Sequence, residues 1–231
     1  MAVATIGAVA SARTTATAVP LQDIQSRPGQ VVRPATGLIL ERHRGVDSCQ
    51  NYSTATMASF YSATPYGVYG IYIGGAIGSG CGASAYTSSW VTTVLGQGWN
   101  LEPIWDDLQP NCSSTSHPIP TSSSAAYTAG YNSGYNAVST AYSKAISGPI
   151  ILDIDYYEDA CAATTDSYVS GWVNALHAYG YQAGIYSYGT NLNHYASIAN
   201  VPDEVIGVYI TSTVGVYNGL ANSGLNPILI T

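Results

Sequence analysis

Charge is scarce in this sequence: Asp, Glu, Lys and Arg make up only 8% of its 231 residues, against 46% hydrophobic. A chain kept unfolded by its own net charge needs the opposite balance, so charge-driven disorder is excluded. Cations are scarcer still. Six Lys+Arg face thirteen Asp+Glu, a net −7. Five of those cations (Arg13, Arg27, Arg33, Arg42 and Arg44) precede residue 45, so Lys144 stands alone among the eleven carboxylates that follow. No basic stripe exists to neutralise phosphates, which makes nucleic acid and anionic membrane surfaces poor partners and neutral polar ligands better ones. No apolar run approaches the ~20 residues of a spanning helix, so no transmembrane segment is expected.

Several motifs are also missing. The Gly74–Gly82 loop has five glycines but neither G-x-G-x-x-G nor a following Lys-Ser/Thr, so nucleotide loops are absent. There is no G-x-S-x-G, and His43, His117, His177 and His194 show no ligand spacing, which disfavours serine-hydrolase and zinc chemistry. No cofactor and no metal are expected.

What is present begins with an apolar, Ala-rich stretch, residues 1–18. It carries two small-x-small cleavage candidates, Ala10-Ser11-Ala12 and Ala16-Thr17-Ala18, and reads as a signal-peptide remnant without its basic n-region. Residues 19–40, with Pro20, Pro28 and Pro34, read as a linker or N-terminal arm, and the domain proper as 41–231. The chain is thus expected to be secreted, extracellular or cell-wall-associated, and monomeric. Its four cysteines (Cys49, Cys81, Cys112 and Cys161) form no C-x-x-C pair and read as two disulfides. Of three connectivities, Cys81 with Cys112 is preferred, because both would follow successive strands at one end of a sheet.

Short apolar runs alternate with segments of helical spacing. Strand candidates are the run ending at Asp47, then 68–73, 101–105, 150–154, 183–186, 205–210 and 226–230; helix candidates are 85–97, 124–146 and 166–179. In the second helix Tyr127, Tyr131, Tyr135 and Val138 recur on one stripe. Trp90-Val91, Val94 and Gly98-Trp99 are echoed at identical spacing by Trp172-Val173, Leu176 and Gly180-Tyr181. A repeated strand–helix unit gives a doubly wound sheet or a barrel, and without phosphate fingerprints the barrel is favoured. The expected fold is α/β, a (β/α)8-type TIM barrel. Seven strand candidates leave it one short at the C-terminal end.

Seven of the eleven acids (Asp47, Asp106, Asp107, Asp153, Asp155, Glu158 and Asp159) fall at C-terminal strand ends, where parallel barrels build their sites. Asp153 and Asp155 are i, i+2 on one strand, pointing to the same side and about 6.6 Å apart along it. Two carboxylates so placed repel, and one can keep its proton near neutral pH. A protonated acid beside an ionised one is what glycosidic cleavage needs. A Ca²⁺ or Mg²⁺ site is the competing chemistry, and Asp-x-Asp lacks the ligand loop for it. Tyr72, Trp105, Tyr157 and Tyr186 lie near the same ends and would offer faces to sugar rings.

These residues resemble a known family: the secreted glycoside-hydrolase-like barrel domain long catalogued as a domain of unknown function, common in actinobacteria and related to the family 25 lysozymes. The resemblance runs from about Gly45 to Gly189. It is carried by Gly45-Val46-Asp47-Ser48-Cys49, Tyr69-Gly70-Ile71-Tyr72-Ile73-Gly74-Gly75, Ser89-Trp90-Val91 with Gly98-Trp99, Leu108-Gln109-Pro110-Asn111-Cys112, Pro149 to Tyr157, and Gly180 to Ser187. It implies hydrolysis of cell-wall polysaccharide of the peptidoglycan type. Asp155 would be the general acid, Asp153 the carboxylate that stabilises charge or orients a substrate amide, and Asp47 the group that tunes them. Asp106, Asp107, Gln109, Tyr72, Trp105, Tyr157, Glu158 and Tyr186 are the expected substrate contacts. The family usually has Glu at the position of Asp155, a departure better explained by the alternative, a carbohydrate-binding or wall-associated barrel that has lost turnover.

Overall fold

The computed structural model describes residues 44–208 and 226–229. The expected leader, the arm and residues 209–210 of the sixth strand candidate lie outside them. Seven strands form one sheet: β1 (Arg44–Ser48), β2 (Tyr66–Gly74), β3 (Asn100–Asp106), β4 (Ile150–Asp153), β5 (Ala183–Tyr188), β6 (Glu204–Val208) and β7 (Asn226–Leu229). Each pairs in parallel with the next, in the order of the sequence. Because that order never reverses, a doubly wound sheet is excluded. The fold is mixed α/β. Among the described residues no hydrogen-bonded pairing joins β7 to β1, and no eighth strand is present, so hydrogen bonds do not close the sheet into the expected barrel.

Four α-helices connect the strands: α1 (Thr54–Ala63), α2 (Ser88–Gly96), α3 (Ser123–Ser143) and α4 (Ala162–Ala178). Ser53, Thr87 and Ser122 cap the first three, each accepting from the backbone N–H three residues on. Helix α1 escapes the periodicity reading because it buries only Met57. The echo has a structural meaning in its glycines: Gly98 (φ 104°) and Gly180 (φ 77°) end α2 and α4 in a left-handed conformation that side chains resist. Its two tryptophans differ. Trp90 donates its indole N–H to the Tyr52 carbonyl at 2.8 Å, whereas Trp172 is wholly buried.

Strand alternation sorts side chains onto two faces. Val46, Tyr69, Ile71, Trp105, Ile150, Leu152, Ala183 and Ile185 join the helices in one apolar core. Within it α3 and α4 pack through small residues, not the expected tyrosine stripe. The buried positions of α3 are Ala126, Gly130, Ser133, Gly134, Ala137, Val138 and Ala141, with Tyr127, Tyr131 and Tyr135 only partly buried on its flanks. A Cβ on Gly130 would overlap the Tyr168 carbonyl oxygen, and one on Gly171 the Tyr127 carbonyl oxygen. Backbone meets backbone here.

The disulfides are Cys49–Cys81 and Cys112–Cys161, which corrects the preferred Cys81–Cys112 pairing. The loop after β2 swings back over the end of β1, bringing the Cα atoms of Cys49 and Cys81 to 4.5 Å. Cys112 and Cys161 then join the loops after the neighbouring strands β3 and β4, at a Cα separation of 5.9 Å.

Overpacking the helix pair tests this contact. Gly171→Ala is expected to destabilise by about 1–3 kcal/mol, lowering Tm by several degrees. Gly96→Ala, where a Cβ meets nothing within 4 Å, should change stability by no more than about 1 kcal/mol in either direction. Equal melting of the two variants in a thermal scan would contradict the close approach.

Candidate active site

The second face of the sheet carries the acids, and strand register sets their layers. Asp47, Gly70 and Glu102 pair in sequence across β1, β2 and β3. Nearer the C-terminal edge, Tyr72, Ile104, Ile151 and Gly184 form the next row. Above it, Asp106, Asp153 and Tyr186 are neighbours across β3, β4 and β5. In-register residues on adjacent strands lie about 4.8 Å apart, so Asp106 and Asp153 stand side by side. Like charges so placed repel.

Among the described residues no Lys or Arg pairs with these acids. Val68, Ile104 and Ile151 on this face are buried, while Asp47, Glu102, Asp106 and Asp153 are all partly buried. Lys144, the one Lys or Arg after Arg44, donates instead to the carbonyls of Ala83 (2.7 Å) and Tyr86 (3.0 Å). Burial, reinforced by the charges of Asp106, Asp155 and Asp47, therefore holds the Asp153 carboxyl well above the usual carboxylate range. Burial lifts Asp106 to about 6, with the hydrogen bond from Gln109 opposing and Asp155 and Asp107 adding. Glu102 is lifted to about 7 by burial and then by Asp47. Asp47 is itself raised by burial. The Tyr72 phenol, buried and facing Asp153, Asp47 and Asp106, is pushed above its usual value and stays a neutral donor.

Of the sequence-derived residues, Asp47, Asp106, Asp153, Tyr72 and Tyr186 come together on this face. Asp155 lies just beyond β4, exposed, its backbone N–H donating to Gln109 Oε1 at 2.8 Å. Gln109 is 2% exposed and clamps two strand ends. Its Nε2 donates to Asp106 Oδ1 (3.0 Å) and to the Asp153 carbonyl (2.9 Å). Three residues lie elsewhere. Asp107 accepts from the Ala76 N–H and from the hydroxyls of Ser133 and Tyr168, bracing the loop after β2 against α3 and α4. Trp105 faces that helix side and donates to Ser133 Oγ at 2.9 Å. Tyr157, 2% exposed, is packed inside with its hydroxyl toward Asp166.

Glu158 is exposed and lines a shallow polar depression with Tyr156, Tyr157, Asp159, Thr190 and Asn191 beyond β4 and β5. Tyr156 is 49% exposed and meets Tyr188 edge-on at 5.6 Å between ring centroids. Glu102 is the residue that sequence reasoning missed. Its signal was a carboxylate inside an apolar run, two residues before Ile104 and four before Asp106, and hence on their face. No group of three or more His, Cys, Asp or Glu side chains among the described residues is arranged to hold a metal.

These raised carboxyl groups link pH to stability. Each binds its proton more tightly folded than unfolded, so stability is full below the unfolded carboxylate range near pH 4 and is lost as pH rises through the folded values. For Asp106 that is about 6 and for Glu102 about 7. The unfolding free energy from urea titration is expected to be about 2 kcal/mol or more lower at pH 8 than at pH 5. Glu102→Gln should shrink the difference. An unfolding free energy that rises over that interval would contradict the desolvated site.

None of the curated proteins compared matches the chain. A crystal structure of an uncharacterized B. stearothermophilus protein is similar at 15% identity and a TM-score of 0.47, over 80% of this chain and 72% of that one. The sequence model of the Rv2525c-like, glycoside hydrolase-like domain matches residues 58–220. That span covers β2 to β6 and every acid described here except Asp47, and the chain belongs to this glycoside hydrolase-like domain family.

Proposed function

We propose that this chain is an exported glycan hydrolase, related to the family 25 lysozymes, that cleaves glycosidic bonds of a peptidoglycan-type polysaccharide at the C-terminal edge of its sheet. Family membership supports a glycan-related role. The two disulfides are consistent with an oxidising, extracellular setting, and no helix among the described residues is long and apolar enough to cross a membrane. The singly wound parallel order suits a sheet curling toward a (β/α) barrel, with its site where strands end.

The observation that carries the chemistry is the pairing of Asp153 with Asp106 on a desolvated face. It reassigns the acid. Asp153 is the group whose desolvated, like-charged surroundings hold its carboxyl well above the usual carboxylate range. In this mechanism Asp153 gives its proton to the leaving oxygen as the C–O bond breaks. Asp106 faces the positive charge developing at the anomeric carbon. Water then adds to that carbon, and its proton returns to the Asp153 carboxylate. Tyr72 and Tyr186 border the same carboxyl groups. Asp155 acts through charge, since its carboxylate lifts both Asp153 and Asp106.

A binding-only role has its own observation. The exposed Tyr156 with Tyr188 forms an aromatic surface beside the polar depression, able to stack on a sugar ring without any proton transfer.

Release of reducing ends from purified peptidoglycan and chitin-type oligosaccharides separates these roles. Asp153→Asn is expected to lower kcat by about 10²–10⁴-fold. Asp155→Asn should retain measurable turnover but move the alkaline limb of the pH profile to lower pH, because removing that charge lets Asp153 ionise earlier. No release by the wild type, with glycan binding still measurable, would leave the binding role and overturn the hydrolase.

A further inference from the structure

We propose that Gln109 is a positioning residue that assigns the roles of the two paired carboxyl groups, holding Asp106 as the charge-facing carboxylate and leaving the transferable proton to Asp153. The proposal rests on the hydrolase reading for its effect on turnover, but not for the assignment itself. Gln109 is 2% exposed, so it acts through the acids and not on the substrate. Its backbone is fixed first: the Gln109 N–H donates to the His117 carbonyl, and the Gln109 carbonyl accepts from the Ile119 N–H, both at 2.8 Å. Ile119 belongs to the apolar core, which anchors this short bridge.

The side-chain amide then has a single orientation. Its Oε1 accepts from the backbone N–H of Asp155 at 2.8 Å, and its Nε2 donates to the backbone carbonyl of Asp153 at 2.9 Å. A backbone N–H only donates and a backbone carbonyl only accepts, so turning the amide over would break both bonds. The second Nε2–H is left for Asp106 Oδ1, 3.0 Å away. That oxygen must accept, and the bond is stronger when the acceptor is a carboxylate. Asp153 receives its bond at the main chain, so the amide favours the anion at Asp106 alone of the pair. The ionisable groups facing Asp106 are Tyr72 on β2, Asp107 beside it, Asp153 on β4 with Asp155 beyond, and His117 in the loop after β3; of these only His117 pulls in the same direction as the amide. The proton affinities agree: the Gln109 bond opposes burial at Asp106, whereas burial and neighbouring charge all raise Asp153.

Two readouts test it. A ¹⁵N titration of the Gln109 side-chain amide in the wild type needs neither a variant nor turnover. Its Nε2 signal should follow the lower of the two steps in which the Asp106–Asp153 pair titrates, at about pH 6. Gln109→Met removes the donor at similar volume and should lower kcat about 10–100-fold with KM little changed. The acid limb of its rate profile, which reports ionisation of Asp106, should also move to higher pH, a shift that a merely structural loss would not produce. An amide that follows the lower step in a protein releasing no reducing ends would sustain the assignment and count against the hydrolase alone. An amide that follows the upper step or neither, or a Gln109→Met acid limb equal to that of the wild type, would overturn the proposal.

Discussion

A set of carboxyl groups on one sheet face, with no ion pair to Lys or Arg among the described residues, governs the rest of this structure. Asp47, Glu102, Asp106 and Asp153 share one face of a parallel sheet, and burial raises the proton affinity of all four. In most folds such groups would be offset by Lys or Arg, but here Lys144 is committed to two backbone carbonyls. The same desolvation that costs stability as pH rises leaves a neutral acid poised beside a potential anion, which is the arrangement glycoside chemistry uses.

The remaining architecture keeps that face in place. Gln109 ties the ends of β3 and β4 with three hydrogen bonds, and Asp107 anchors the neighbouring loop to the helices. Both disulfides lie at this same edge of the sheet, joining loops of adjacent strands. Behind it, the glycine-mediated contact of α3 with α4 forms a stiff backing through Ser133 and Tyr168, which reach forward to Asp107.

Much of the fold was legible because strand signals are local: all seven strand candidates correspond to strands, and the glycines ending α2 and α4 mark their stops. Helix α1 was hidden because burying Met57 alone leaves no periodic stripe. The buried face of α3 was misread because tyrosines carry a stronger hydrophobic signal than the glycines and alanines that pack. The cysteine pairing depended on which way a loop turns, which strand order alone does not give. In the site, alternation placed Asp106 and Asp153 on one face but could not show that Asp107 and Trp105 turn toward Ser133. Glu102 was overlooked because attention went to strand ends, whereas it lies inside β3, on the face it shares with Asp106.

The most direct test is a carboxyl ¹³C NMR titration of Asp153. A midpoint well above the ordinary carboxylate range near 4, falling when Asp106 is replaced by Asn, is the predicted result. Titration of Asp153 in the ordinary range, unmoved by that replacement, would contradict the proton-holding face on which the account depends.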